Sequence, residues 1–397
     1  MRERIQARLR ELAPRLVEQR RDLHRHPELA FQEHRTSAIV AEWLGKLGIE
    51  VRTGVAKTGI VARIAGKQKG KTRTIALRAD MDALPIQDAK TATADYASTV
   101  PGKMHACGHD AHVTMALGAA TVLSELRDEL AGDVVLLFQP AEEGVGGAEP
   151  MIAEGALDGV DFILGQHTMP LYAAGEVSVS YGAAMAAADF FTLRIHGTGG
   201  HGAYPHLAVD AIQIAAQVVT TLQAVVARTV DPLQAAVVTI GTIHGGYNFN
   251  VIADVVEMKG TVRTLDPALR DAIPARIEAL VRGITEGFGA RYDFEYQRHY
   301  PPVVNHDVGV ALLRSVAGEV LGEDKVHVVA PSMGGEDFAY YLQKVPGCFY
   351  FVGCRHPHPL DEKYNLHHPA FDLDERVLTV GAQLFVEGAM RYLAKGA

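Results

Sequence analysis

Asp133-Val134-Val135-Leu136-Leu137-Phe138-Gln139-Pro140-Ala141-Glu142-Glu143 is the stretch that decides the fold. Residues 133–138 are nearly all apolar and lack the alternation of a half-exposed strand. They read as a short strand buried on both faces, the kind found in parallel sheets covered by helices. Open sheets of that type place their sites in loops beyond the carboxyl ends of the strands. Two adjacent carboxylates, Glu142 and Glu143, stand at that position. Working outward, residues 162–164 repeat the apolar pattern, and 60–64 and 74–77 also read as strands. Helices are expected over 4–25, where Ile5, Leu9, Leu12, Leu16 and Leu23 recur at helical spacing, and over 35–47 and 112–130. Strands alternating with helices predict an α/β layer with a mostly parallel sheet.

The character changes after about residue 182. A strand over 190–195 leads into glycine-rich His196-Gly197-Thr198-Gly199-Gly200-His201-Gly202. A helix over 208–227, strands over 235–243 and 251–263, a helix over 267–288 and a strand over 292–297 follow. That β-α-β-β-α-β order is the ferredoxin-like signature, complete in itself. It predicts an inserted α+β domain at 183–297 and a discontinuous catalytic domain at 1–182 and 298–397, in which 308–321 and 348–352 and a final helix from 373 resume the α/β pattern. Two domains also suit a chain of 397 residues.

The net charge of −9, with no basic cluster to offset it, argues against a nucleic-acid surface. Three cysteines, Cys107, Cys348 and Cys354, form no disulfide framework and suit a reducing cytosol. The charged start Met1-Arg2-Glu3-Arg4 shows no secretory signal, and no unbroken apolar run suggests a membrane span. A cytoplasmic location is expected.

The chemistry concentrates at His105-Ala106-Cys107-Gly108-His109-Asp110-Ala111-His112, where thiol and imidazoles crowd together. Cys107 and His109 converge on one cation if Gly108 turns the backbone. The alternatives are a small buried cysteine beside capping residues, or a Cys107 nucleophile with His109 as its base. Of Glu142 and Glu143, one suits a metal and the other a water molecule on that metal; a solvated acidic turn is the plain alternative. Gly144-Val145-Gly146-Gly147 fits a tight turn or an anion cradle. His167, in Gly165-Gln166-His167, is expected at a strand end. His356, His358, His367 and His368 form a second group, within which spacing does not choose His367 over His368. Asp80 and Asp82, after the strand at 74–77, suit a ligand or a carboxylate that orients a ligand imidazole. His201, His206 and Asn250 sit in glycine-rich loops, where they either touch substrate or cap turns.

Taken in order, these segments resemble the M20 metallopeptidase family, and most closely its amidohydrolase branch of hippurate hydrolases, aminoacylase-like enzymes and plant auxin-conjugate hydrolases. The resemblance rests on Asp22-Leu23-His24-Arg25-His26-Pro27-Glu28, the 77–85 and 104–110 segments, Phe138 to Glu143, Gly200 to His206, Asn250 to Asp254 and Leu366-His367-His368-Pro369. It implies two divalent ions per subunit, Zn²⁺ or Mn²⁺ with Co²⁺ or Ni²⁺ as alternatives, held by Cys107, His109, Glu143, His167 and His367. It implies Glu142 as general base, and it favours His367 because that residue directly follows the leucine. The family's usual His-x-Asp motif stands here as Asp80-Met81-Asp82, so Asp82 is expected behind the ligands and not on the metal.

The same resemblance implies a small domain that closes over substrate and mediates dimerisation. His201 would approach the scissile carbonyl, in cis or from a partner subunit, and Asn250 would help to bind substrate; Arg263 is a further candidate for the substrate carboxylate. The expected reaction is attack by a metal-bound hydroxide on the amide of an N-acyl amino acid, giving a carboxylic acid and a free amino acid. The alternatives are a dipeptidase or carboxypeptidase of the same family, or a non-catalytic small-molecule binding protein. A homodimer or higher homo-oligomer is expected.

Overall fold

The computed structural model describes residues 1–68, 73–92, 95–356 and 364–394. His358 therefore lies outside the described residues. The chain forms two compact units: residues 1–184, 304–330 and 337–397 make the larger, and 185–303 with 331–336 the smaller. The short return at 331–336 has no signature in the sequence. It joins the smaller unit through the backbone, where Ala186 N–H donates to Gly334 O at 2.9 Å and Met185 bridges Ser332.

The larger unit carries an eight-stranded sheet. Its order is Glu50–Val55, Gly59–Ile64, Asp133–Gln139, Thr74–Asp80, Phe162–Ala173, Gly347–Arg355, Val177–Val179 and Val326–Val328. The central run from Asp133–Gln139 to Gly347–Arg355 is parallel, and antiparallel pairings occur only outside it. Thr74–Asp80 is buried at every position, as its central place requires. The helix His109–Glu125 is buried along almost its whole length, from His109 to Leu123. It packs against Arg2–Arg25 and Val377–Ala394, and Gly118 lets the three approach: a Cβ there would stand 3.1 Å from Ala382 Cβ and 3.2 Å from Leu16 Cδ1.

Two expected boundaries moved, with consequences for the site. The helix expected from residue 112 starts at His109, because Gly108 turns left-handed (φ 81°) immediately before it. The strand expected to stop at residue 164 runs on as Phe162–Ala173, so His167 lies within a strand instead of at its end. Gly165-Gln166 interrupts the apolar run in the sequence, but parallel pairing to Gly347–Arg355 continues through it, with His167 opposite Phe351. The neighbouring strand pairs only as far as Arg78 opposite Gly165, so His167 emerges past that neighbour's last rung.

The smaller unit has the expected β-α-β-β-α-β order. Its strands Ala187–His196, Ala236–Gly245, Val255–Thr264 and Arg291–Tyr300 form an antiparallel sheet, arranged second, third, first, fourth. Helices Ala211–Thr229 and Pro267–Gly287 share one core with that sheet, built on Ile214, Val218, Leu222, Ile273, Ile277 and Val281. By length and composition Ala211–Thr229 is apolar enough to cross a membrane. Here one face of it fills this core, which is the ordinary use of an amphipathic helix.

Candidate metal centre

Cys107 is the hub of the larger unit's polar centre. Its Sγ lies 3.4 Å from His167 Nε2 and 3.3 Å from His367 Nε2. His367 Nε2 is also 3.0 Å from Glu143 Oε1, and His109 Nε2 is 4.0 Å from the same oxygen. Among the described residues of this unit, four sets of donor atoms each lie within 4.8 Å of one another: Cys107, His109 and His167; Cys107, Glu143 and His367; His109, Glu142 and Glu143; and Asp80, His109 and His112. The first two sets share the thiol. All five expected ligands and the expected base thus meet in one place, although 260 positions separate Cys107 from His367.

Local backbone geometry explains the convergence. Gly108 is required at the Cys-Gly-His turn, since a Cβ on it would stand 2.5 Å from Thr168 Oγ1. His109 and His112, one helical turn apart, stack their rings at 5.3 Å. His367 is held in a left-handed conformation (φ 67°) by its N–H donating to Ala106 O at 2.8 Å. His368 turns elsewhere, stacking on Tyr364 at 4.4 Å, so it is His367 that reaches the thiol.

The aspartates stand behind this set. Asp82 lies 3.4 Å from His109 Nδ1 through Oδ1, and its two oxygens accept the backbone N–H groups of Glu142 and Glu143 at 3.0 and 2.9 Å. One carboxylate therefore orients an imidazole and pins both glutamates. Asp80 is engaged by Arg78 and by His112 Nδ1 at 2.6 Å, while His112 Nε2 accepts Thr168 N–H at 2.9 Å. Both nitrogens of His112 are used, so its place in the 105–112 cluster is structural. The Asp80–His112 pair was not legible beforehand; a carboxylate at a strand end and a histidine one turn into the next helix are its only sequence signal. His105 is also buried, and it makes no hydrogen bond among the described residues. Gly144 to Gly147 forms a turn, with the Gly144 and Gly146 N–H groups donating to Ala141 O, and only its end meets an anion, which is the chain's own: Asp337 Oδ2 accepts Gly147 N–H at 2.9 Å and Ala148 N–H at 3.0 Å.

The electrostatics favour a cation. Burial, then the Glu143 and Glu142 carboxylates, push the Cys107 thiol well above its ordinary range. Burial works to lower His109, but Asp80, Asp82 and Glu143 outweigh it and raise that imidazole to about 10. Burial and His112 hold His167 well below the usual histidine range, so it is neutral. Burial alone would raise Glu143; His367 and His109 bring it below the ordinary value. Each nitrogen of buried His109 faces a carboxylate, Nδ1 at 3.4 Å from Asp82 and Nε2 at 3.7 Å from Asp80, but neither completes a hydrogen bond among the described residues. Buried, unsatisfied nitrogens beside a thiol and two carboxylates are costly unless a cation completes them. The residues present fit a metal, and a thiol raised in this way is a poor free nucleophile.

His201, Asn250 and Arg263 lie in the smaller unit. His201 is exposed, its Nδ1 accepts Ala203 N–H at 3.1 Å, and its short strand Gly200–His201 pairs with Val251–Ile252. Exposed Asn250 holds that turn through its carbonyl, which accepts Gly202 N–H at 2.8 Å. Arg263 lies over Phe190 with its guanidinium carbon 5.7 Å from the ring centre, and its buried Nη1 has no hydrogen-bond partner among the described residues.

A model of peptidase family M20/M25/M40 matches residues 76–391. The chain is 48% identical over 291 residues to the N-acyl-L-amino acid amidohydrolase of Geobacillus stearothermophilus, covering 73% of this chain and 78% of that one. It is 42% identical over 384 residues to an N-acetyl-L-cysteine deacetylase of Bacillus subtilis, covering 96% and 89%. Among solved structures it is similar to the Bacillus subtilis YXEP protein, a dinuclear metal binding peptidase from the M20 family. That match has a TM-score of 0.83 and 38% identity, and covers 97% of this chain and 99% of that one. The chain belongs to peptidase family M20/M25/M40 and is a metal-dependent amide hydrolase.

Proposed function

We propose that this protein hydrolyses the amide bond of N-acyl amino acids, releasing a carboxylic acid and a free amino acid. The observation that carries the reading is the thiol shared by two donor sets with Glu142 beside them. Cys107, His109 and His167 would hold one divalent ion and Cys107, Glu143 and His367 a second, with Zn²⁺ best suited to the mixed sulfur, nitrogen and oxygen donors and Mn²⁺ next. Such ions acidify water and polarise the amide carbonyl. Glu142 takes the proton of the attacking water and returns it to the leaving nitrogen. Asp82, through the amide N–H groups of Glu142 and Glu143, keeps base and ligand in fixed register.

His201 supplies a hydrogen bond to the developing oxyanion and Asn250 orients the substrate. Arg263 is half-buried and incompletely paired, and burial lowers its pKa. A substrate carboxylate would complete it, which favours N-acyl amino acids over neutral amides. Names of relatives point the same way: one is an N-acyl-L-amino acid amidohydrolase and another a deacetylase of N-acetyl-L-cysteine. Two copies of the chain associate in this reading through the smaller unit. Its edge strand Ala236–Gly245 is flanked by exposed apolar side chains, with Leu233 96%, Phe249 97% and Tyr247 71% exposed. Light scattering that returns the mass of a single chain overturns the dimer.

The function is tested by assaying N-acetyl, N-benzoyl and dipeptide substrates after reconstitution with Zn²⁺, Mn²⁺ and Co²⁺. Preferred turnover of N-acyl amino acids supports the reading. Turnover confined to dipeptides replaces it with a peptidase.

A further inference from the structure

We infer that Glu33 is a positioning residue for the hydrolytic step, acting through the backbone of Ala141. Ala141 immediately precedes Glu142 and is buried in a left-handed conformation, φ 59°. An L residue with a Cβ avoids that region unless its surroundings hold it there. Three carboxylates from three separate parts of the larger unit grip the chain around it. Asp82 takes the N–H groups of Glu142 and Glu143, and Asp337 takes those of Gly147 and Ala148. Glu33 takes that of Ala141 itself, at 2.9 Å.

Glu33 is itself fully buried at the start of the helix His34–Lys46. Its Oε1 also accepts Phe31 N–H at 3.0 Å, and its Oε2 accepts the Thr58 hydroxyl at 2.5 Å. It reaches neither Cys107 nor the imidazoles in any hydrogen bond, so its effect on chemistry passes through the turn. Holding the Ala141 N–H fixes where the next residue leaves the turn, and that residue carries the base. The inference rests on the assignment of Glu142 as base.

The test is a double-mutant cycle on the holoenzyme. Glu33→Ala leaves the buried Ala141 N–H and the partly buried Phe31 N–H without their acceptor and lowers kcat about tenfold, with KM and metal per chain close to wild type. Glu33→Gln keeps an acceptor oxygen for both N–H groups and recovers most of that loss. Ala141→Gly removes the Cβ that resists the left-handed turn, so it raises kcat in the Glu33→Ala background about threefold more than in the wild type. An equal effect in both backgrounds, or wild-type kcat in Glu33→Ala, overturns the inference. Should Glu33→Ala fail to fold, Thr58→Val releases only Oε2 and is expected to couple to Ala141→Gly with the same sign; no coupling overturns the inference. Glu142→Gln is assayed alongside. If it stays active while the coupling is present, only the base assignment falls. If it is inactive and the coupling is absent, only the role of Glu33 falls.

Discussion

The two units treat their polar residues in opposite ways. In the larger, most of the candidate chemistry is buried: Cys107, His109 and His167 are enclosed and His367 alone of the five donors is exposed, while Asp82, Asp337 and Glu33 fix the backbone that carries Glu142 and Glu143. In the smaller, His201 and Asn250 are exposed and Arg263 is incompletely paired. A buried donor set is costly to assemble, but it loses no freedom when its ligand arrives. An exposed set costs little to assemble, because water satisfies its polar groups until a ligand replaces it. In the proposed reading the larger unit is organised for bond-making, and the smaller for recognition.

The sharpest way to break this contrast is Glu142→Gln. It should lower kcat by roughly 10²–10⁴-fold, the usual range for a general acid–base group, while elemental analysis finds metal near the wild-type content. Retained turnover would remove the base from the larger unit altogether.

The next effect concerns metal affinity and pH. Without metal, His109 is raised to about 10 and Cys107 stands well above its ordinary range, so both hold protons at neutral pH. Ligation requires both to lose them, so affinity rises with pH and loading at pH 7 releases about two protons per chain. Calorimetric titration in two buffers of different ionisation enthalpy counts those protons. Cys107→Ala should bind metal weakly by the same measurement; full occupancy with lost turnover would instead make the thiol a nucleophile.

The smallest effect belongs to the smaller unit. Arg263→Ala should raise KM about tenfold for substrates with a free carboxylate, the equivalent of one charge-assisted hydrogen bond. Metal content and thermal midpoint should not move. A comparable rise for substrates whose carboxylate is amidated would take Arg263 out of recognition.

Much of this was legible in the chain itself, for local reasons. The run from Val134 to Phe138 is apolar because both faces of its strand are covered, and the β-α-β-β-α-β order needs only strand and helix periodicities to be seen. The site residues stood out by chemical type. Their roles are less legible: Gly165-Gln166 breaks the apolar pattern, which hides that the strand continues through His167, and nothing near residue 147 signals that the distant Asp337 takes the N–H groups of Gly147 and Ala148.

Residue order and side-chain type determined that two units exist and which donors were available to a metal. Only tertiary structure decided which donors meet. The separations of 60 positions from Cys107 to His167 and 260 from Cys107 to His367 are closed by sheet register and helix packing, not by local preference. The left-handed turns at Ala141 and His367 belong to the same class, since that conformation is uncommon for any residue with a Cβ. Distant hydrogen bonds hold both turns in place, the Glu33 carboxylate at one and the Ala106 carbonyl at the other.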